Sequence, residues 1–208
     1  MVFFIILIAV ISYLLGNLNG AIVISRLFSK EDVRTHGSGN AGLTNFIRSY
    51  GSATSIFVIL IDMGKAVAAC LLGGLLLKRY GMFLEGTAIG GAAVMLGHVC
   101  PALLGFKGGK GILSGLFIAL TVDWRIALLI LAVFAVAYLT TQYVSLGSVL
   151  ASIAFAIGFV IFHYDNLTVM LCGIFMGALA TFMHRQNILR LLKGQERKTN
   201  LFGKGSKQ

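Results

Sequence analysis

Four short segments carry most of the chemistry open to this chain. The first runs His36-Gly37-Ser38-Gly39-Asn40-Ala41-Gly42-Leu43-Thr44-Asn45-Phe46-Ile47-Arg48. Alternating glycines let successive backbone N–H groups converge on an anion. Ser38, Asn40, Thr44 and Asn45 add neutral donors. Thr44 or Asn45 is placed to cap a following helix, whose N-terminus would face the same anion. Arg48 supplies a forked donor suited to phosphate. Gly37-x-Gly39-x-x-Gly42 has dinucleotide-fingerprint spacing, but no strand precedes it and no βαβ unit surrounds it, so that reading fails.

The second segment holds His98 and Pro101, then Gly105-Phe106-Lys107-Gly108-Gly109-Lys110-Gly111. Its spacing is not that of a Walker A loop. Four glycines around two lysines still make a backbone cradle with two point charges. Pro101, the single proline, ends or kinks the apolar run before it. Ser145-Leu146-Gly147-Ser148 is the third segment and on its own reads equally as a helix start. The fourth is His184-Arg185-Gln186-Asn187, continuing to Glu196. His184 and Asn187 stand at i, i+3 and share a helix face. Ile188, Leu191 and Leu192 give the same helix an apolar side, so an interfacial anchor is the competing reading. Asp62 and Lys65, also at i, i+3, sit inside an apolar run, either as a paired structural couple or as functional groups.

This set is rich in anion-binding groups and poor in acids and bases. Ser/His/Asp and Cys/His nucleophile sets are not evident, and no His has an Asp five positions on. An Asp-rich metal signature is missing too, so neither a metal nor a cofactor is expected. Cys70, Cys100 and Cys172 are scattered in or beside apolar runs and read as packing residues. The pattern suits two phosphates held beside lipid, by positioning and electrostatics.

The elements that position these segments follow from composition. Of 208 residues, 58% are hydrophobic and 12% charged, with a mean hydropathy of +0.92. Soluble domains average about 45–50% apolar and about 25% charged, so lipid must solvate most of this chain. Helices are required, because hydrocarbon offers no partner to bare backbone groups. The expected fold is all-α and polytopic, with seven transmembrane helices, one of them short: Val2–Ser25, Ser52–Leu77, Gly86–Leu104, Ile112–Val122, Ile126–Gln142, Leu146–Phe162 and Leu167–Met183. Met1–Gly16 carries no basic flank or cleavage site and reads as a retained span. Asn17 and Asn19 read as helix–helix glue.

No Lys or Arg precedes the first span, while Arg26, Lys30 and Arg34 follow it. The N-terminus is therefore expected outside and the 26–50 loop inside. Alternation then places Lys107, Lys110, Ser145 and the C-terminus on the cytoplasmic side. Ile112–Val122 spans only about 17 Å of helix. Removing it would invert everything downstream and put the basic tail outside, so it is kept, with Gly105–Gly111 dipping toward the membrane. The chain divides into residues 1–184, a membrane-embedded catalytic domain, and 185–208, a basic cytoplasmic tail. The net charge of +10 suits anionic lipid or substrates; with the basic residues confined to loops, nucleic acid is a poor partner, and no obligatory protein partner is evident.

At this point the motifs resemble those of the bacterial acyl-phosphate-dependent glycerol-3-phosphate acyltransferases. Gly37-Ser-Gly-Asn40, Gly42, Thr44-Asn45 and Arg48 are similar to the first motif of that family. His98, Pro101 and Phe106–Gly111 resemble the second, and Ser145-Leu146-x-Ser148 the third. His184, Arg185, Asn187, Arg190-Leu-Leu192, Gly194 and Glu196 resemble the C-terminal signature. Leu201–Gln208 fall outside the resemblance.

The resemblance implies seven spans with the N-terminus outside, and a multi-pass protein of the bacterial inner membrane. It also implies acyl transfer from acyl phosphate to the sn-1 hydroxyl of glycerol 3-phosphate, giving lysophosphatidic acid and phosphate, the first step of phospholipid synthesis. On that reading Arg48, Lys107, Ser38 and Ser145 hold the phosphates, with Gly39, Thr44, Asn45, Gly108, Gly109 and Lys110 completing the cradle. Asn40 orients phosphoryl or carbonyl oxygens, and His184 and Asn187 position the glycerol hydroxyl or steady the carbonyl. Either a substrate phosphate or His184 takes the proton. The alternative class is a small membrane transporter of anions or lipid phosphates.

Overall fold

A computed structural model describes residues 1–198. The end of the basic tail, with Leu201–Gln208, lies outside the described residues. Those residues form helices α1 (Val2–Gly16), α2 (Gly20–Ser29), α3 (Leu43–Tyr50), α4 (Ser55–Lys78), α5 (Phe83–Val99), α6 (Ile112–Val122), α7 (Trp124–Thr141), α8 (Val144–Phe162), α9 (Leu167–Met183) and α10 (Arg185–Leu192), with no strand among them. Val2–Ser29, α4, Phe83–Leu104, α7 and α8 are long and apolar enough to cross a membrane. The α9–α10 pair, bent by 53°, reaches that length together, and α6 is a shorter apolar helix. Lipid is the solvent that accommodates the exposed Leu128, Val136 and Leu139 of α7.

The centre of the bundle is α5, which packs against α1, α4, α6 and α9. Its glycines allow this. A Cβ at Gly90 would overlap the Ala69 carbonyl of α4, and one at Gly97 would overlap the Tyr13 carbonyl of α1. Close backbone approach of this kind drives helix association where lipid removes the hydrophobic force. Cys70 is free and buried against this seam, as a packing residue should be.

Two expected spans differ in detail. The first breaks at Asn17–Asn19, because Asn19 leaves the helix and caps α2, its side chain accepting from Ile22 N at 3.0 Å. Asn17 accepts from Leu103 N at 2.9 Å, and Asn19 donates to the Ala41 carbonyl at 3.0 Å. Asn17 thus ties the first span to the 3-10 turn that ends the third, and Asn19 ties it to the glycine-rich loop. The third span ends before Pro101, as Val99 closes α5 and a short turn of 3-10 helix, Ala102–Leu104, follows.

The two ends of the bundle carry different groups. At one, the Met1 ammonium meets the Tyr80 hydroxyl and Asn166 donates to Glu85. At the other, all four chemistry-bearing segments meet. Arg34 reaches Leu104 and Lys107, Lys110 reaches Asn187, and Lys198 lies over the Tyr143 ring beside Ser145.

Candidate active site

Local sequence first shapes the glycine-rich loop after α2. Asp32 accepts from Arg34 N, Arg34 Nε and Arg26, and these donors hold its carboxyl well below the usual range. Arg34, so oriented, donates to the Leu104 carbonyl at 2.8 Å and the Lys107 carbonyl at 3.2 Å. It thereby clamps the two glycine-rich loops together. Neither Asp32 nor Arg34 stood out in the sequence as more than an acid and a cation of a basic loop. The available signal was their i, i+2 spacing in a chain with only 7 acidic residues.

Asn45 lies inside the first turn of α3, buried, with its amide committed to the loop. It accepts from Ser38 N at 2.8 Å and donates to the Val33 and His36 carbonyls. Gly37 has a φ of 58°, and a Cβ there would overlap Asn45 Oδ1, so only glycine fits. The helix cap is Gly42, with no side-chain capping bond, rather than Thr44 or Asn45. Asn40 folds back over Gly42. Ser38 and Gly39 stay exposed on the loop surface.

The second loop folds back under the end of α5. Gly109 N donates to the His98 carbonyl at 3.1 Å. Gly111 lies against Met95, so α6 starts about one turn inside the level at which α5 ends. This is the recess that a span of 11 residues requires. The two lysines of the loop then diverge. Lys107 is exposed and lines an open cleft with Arg34, Thr35, Gly39 and Leu104. Lys110 turns inward and donates to Asn187 Oδ1.

Asn187 sits on the buried side of α10 and donates to Glu196 at 3.2 Å, while Arg190 Nε donates to the same carboxylate at 2.7 Å. Burial, together with the charges of Arg190 and Arg48, pushes Lys110 down to about 8, with Glu196 acting the other way. The Arg48 guanidinium is likewise lowered by burial and opposed by Glu196. Arg190 thus pairs with Glu196, and the charges of Lys110 and Arg48 act on the same carboxylate. Sequence reading left Glu196 without a role.

His184 occupies the bend between α9 and α10. Its Nδ1 lies 2.8 Å from the Ala180 carbonyl, which can only accept, so Nδ1 carries the proton and Nε2 keeps its lone pair. Burial pushes the ring down to about 4, so it is neutral at pH 7. Ser145, in the first turn of α8, is buried with no hydrogen-bond partner for its hydroxyl among the described residues. Helix α10 packs on α8, so this orphan donor belongs to the same end of the bundle. Among the described residues no cluster of His, Cys, Asp and Glu could hold a metal ion.

Beneath both loops lies a buried polar knot. Lys65 Nζ is 2.7 Å from Asp62 Oδ1, 2.7 Å from the Leu18 carbonyl and 2.7 Å from His98 Nδ1. Asp62 also accepts from Gly20 N at 3.2 Å. The pair supplies the backbone groups left bare by the break in the first span.

Structure thus brings Lys110, His184 and Asn187 together with Arg48. It sets Gly39 and Lys107 along a neighbouring cleft and uses Asn45 internally.

Comparison with known proteins follows the same lines. Residues 6–194 match the family model described as glycerol-3-phosphate acyltransferase. The chain is 38% identical to the glycerol-3-phosphate acyltransferase of Finegoldia magna, covering 94% of this chain and 96% of that one. It is also 38% identical to that of Clostridioides difficile, with 95% and 96% covered. Among solved structures it resembles PlsY (YgiH), described as an integral membrane glycerol 3-phosphate acyltransferase. The glycerol 3-phosphate form matches with a TM-score of 0.84 at 33% identity, covering 94% of this chain and 96% of the other. The lysophosphatidic acid form matches with a TM-score of 0.81 at 34% identity, covering 94% and 95%.

Proposed function

We propose, since this chain belongs to the glycerol-3-phosphate acyltransferase family, that it acylates the sn-1 hydroxyl of glycerol 3-phosphate from acyl phosphate. The products are 1-acyl-glycerol 3-phosphate and phosphate. Family membership sets aside the transporter reading. The observation that carries the choice of donor is the gathering of Lys110, Asn187 and the buried Ser145 hydroxyl with a histidine whose Nδ1 is committed to the Ala180 carbonyl. Such a site can hold two phosphates but offers no strong base, and it suits a donor that is already activated.

Acyl phosphate is a mixed anhydride. The glycerol hydroxyl oxygen bonds to the carbonyl carbon, the bond from that carbon to the bridging oxygen breaks, and phosphate leaves with the electron pair. The hydroxyl proton ends on that phosphate. Arg48, Lys107, Lys110 and the orphan Ser145 hydroxyl supply charge and donors for the phosphates, with Ser38 and the N–H groups of both loops. Thr44 and Asn40 line the first loop; Asn45 acts through it. Nε2 of His184 has a lone pair free to accept from the glycerol hydroxyl and orient it, and Asn187 holds Lys110 in place.

Positive charge around this end of the bundle supports a cytoplasmic site, an N-terminus outside, and seven crossings of the inner membrane. The deciding experiment mixes purified protein in detergent with acyl phosphate and glycerol 3-phosphate. Phosphate release that needs both substrates is expected. Acylation from an acyl thioester alone, with none from acyl phosphate, would refute the donor assignment.

A further inference from the structure

We propose that Lys65, acting through His98, is a positioning residue for the loop from Lys107 to Gly111, and that it sets the affinity for glycerol 3-phosphate. This rests on glycerol 3-phosphate being the acceptor, and not on the identity of the acyl donor.

An ionised pair at membrane depth is costly, and repairing a helix break does not require one. The Leu18 carbonyl and Gly20 N–H need one donor and one acceptor, which neutral side chains could supply. Lys65 goes further. Its ammonium has three protons and lies 2.7 Å from each of Asp62 Oδ1, the Leu18 carbonyl and His98 Nδ1, with the Gly16 carbonyl farther off at 3.5 Å. The contact with His98 is surplus to the break.

That contact fixes the ring. An ammonium can only donate, so His98 Nδ1 presents its lone pair and Nε2 carries the hydrogen. One tautomer and one orientation result. The Nε2 edge faces Gly109 so closely that a Cβ there would overlap it, and would lie 2.9 Å from the Ala41 carbonyl. A Cβ at Gly108 would overlap the His98 carbonyl and lie 2.8 Å from that of Val99. Gly109 N also donates to the His98 carbonyl. The backbone between the two lysines therefore packs on His98, together with Val99, Pro101 and Ala41, and the His98 ring is held in turn by Lys65. From this platform Lys107 enters the open cleft and Lys110 reaches Asn187.

The test is calorimetric titration of the full chain in detergent with glycerol 3-phosphate alone. Two variants suffice. Asp62→Asn with Lys65→Met removes both charges and leaves an oxygen for Gly20 N. His98→Asn leaves the charged pair and the span break intact. Each is expected to weaken binding about tenfold, equivalent to about 1.4 kcal/mol, and the combination should weaken it no further, because both act on one chain of contacts. Steady-state assays should show a raised KM for glycerol 3-phosphate with kcat within about threefold of wild type. A merely structural knot would lower the yield or the unfolding temperature and leave the affinity of the folded fraction unchanged. Wild-type affinity in folded His98→Asn, or losses that multiply in the combination, would overturn the proposal. Binding is read without a donor, so failure of the acyl-phosphate reading would leave wild-type binding intact and show itself only in turnover.

Discussion

Two ion clusters sit at opposite ends of this bundle and are built to opposite plans. At one end, Asp123 caps α7, accepts from Arg125 at 2.6 Å and lies 3.2 Å from His163. At the loop end, Arg190 pairs with Glu196, Asn187 joins the same carboxylate to Lys110, and the Ser145 hydroxyl has no hydrogen-bond partner among the described residues. The first cluster ends a helix and closes on its own cap. The second joins the loop before α6, helix α10 and the chain that follows it. Contacts that tie distant segments together at one end of the bundle separate a site from a brace closed on its own helix, even where the residue types are the same.

The largest expected effect lies at the loop end. Arg48→Ala and Lys107→Ala should each lower kcat/KM by about a hundredfold or more, whereas Arg125→Ala should leave it within a factor of two or so. Near-normal activity of either loop variant would erase the distinction. Next comes pH. Lys110 loses its charge as pH rises through about 8, so kcat/KM for glycerol 3-phosphate should fall above that value, and Lys110→Arg should move the fall to higher pH. His184 is already neutral above about 4, so it should give no inflection between pH 5 and 7. His184→Gln should cost only a small factor in turnover; complete loss would make His184 the base. The smallest effect belongs to the brace. The donors around Asp123, Arg125 first, hold its carboxyl below the unfolded value of about 3.9, so its stabilisation is present above that pH and lost as pH falls toward the folded value. Asp123→Asn should cost about 1 kcal/mol in thermal unfolding near neutral pH, with kcat unchanged.

Much of this was legible in the sequence, for a physical reason. Apolar runs must become helices in lipid, so α4, α7, α8 and α9 appeared within a few residues of their expected bounds. Charge asymmetry gathered the four segments on one side. What escaped is where polar side chains serve the backbone instead of a ligand. Asn45 looked like a phosphate donor because its type is right, but its amide is consumed by residues 33–38. Asn19 looked like glue between helices, and instead ends one helix and starts another. The Arg34 clamp and the Glu196 hub depend on contacts across 70 residues or on a chain reversal, which periodicity does not encode.

The break at Asn17–Asn19 also bears on biogenesis. Among the described residues, the Leu18 carbonyl and Gly20 N–H find their partners in Lys65 and Asp62 of α4. During synthesis the first apolar segment therefore reaches the membrane with bare backbone groups that hydrocarbon cannot satisfy. The smallest insertion unit that leaves none of them bare is the hairpin of α1–α2 with α4. A nascent chain stopped before Lys65 would keep its leading segment at the translocon or the interface, and the first span becomes a settled membrane element only when the second arrives.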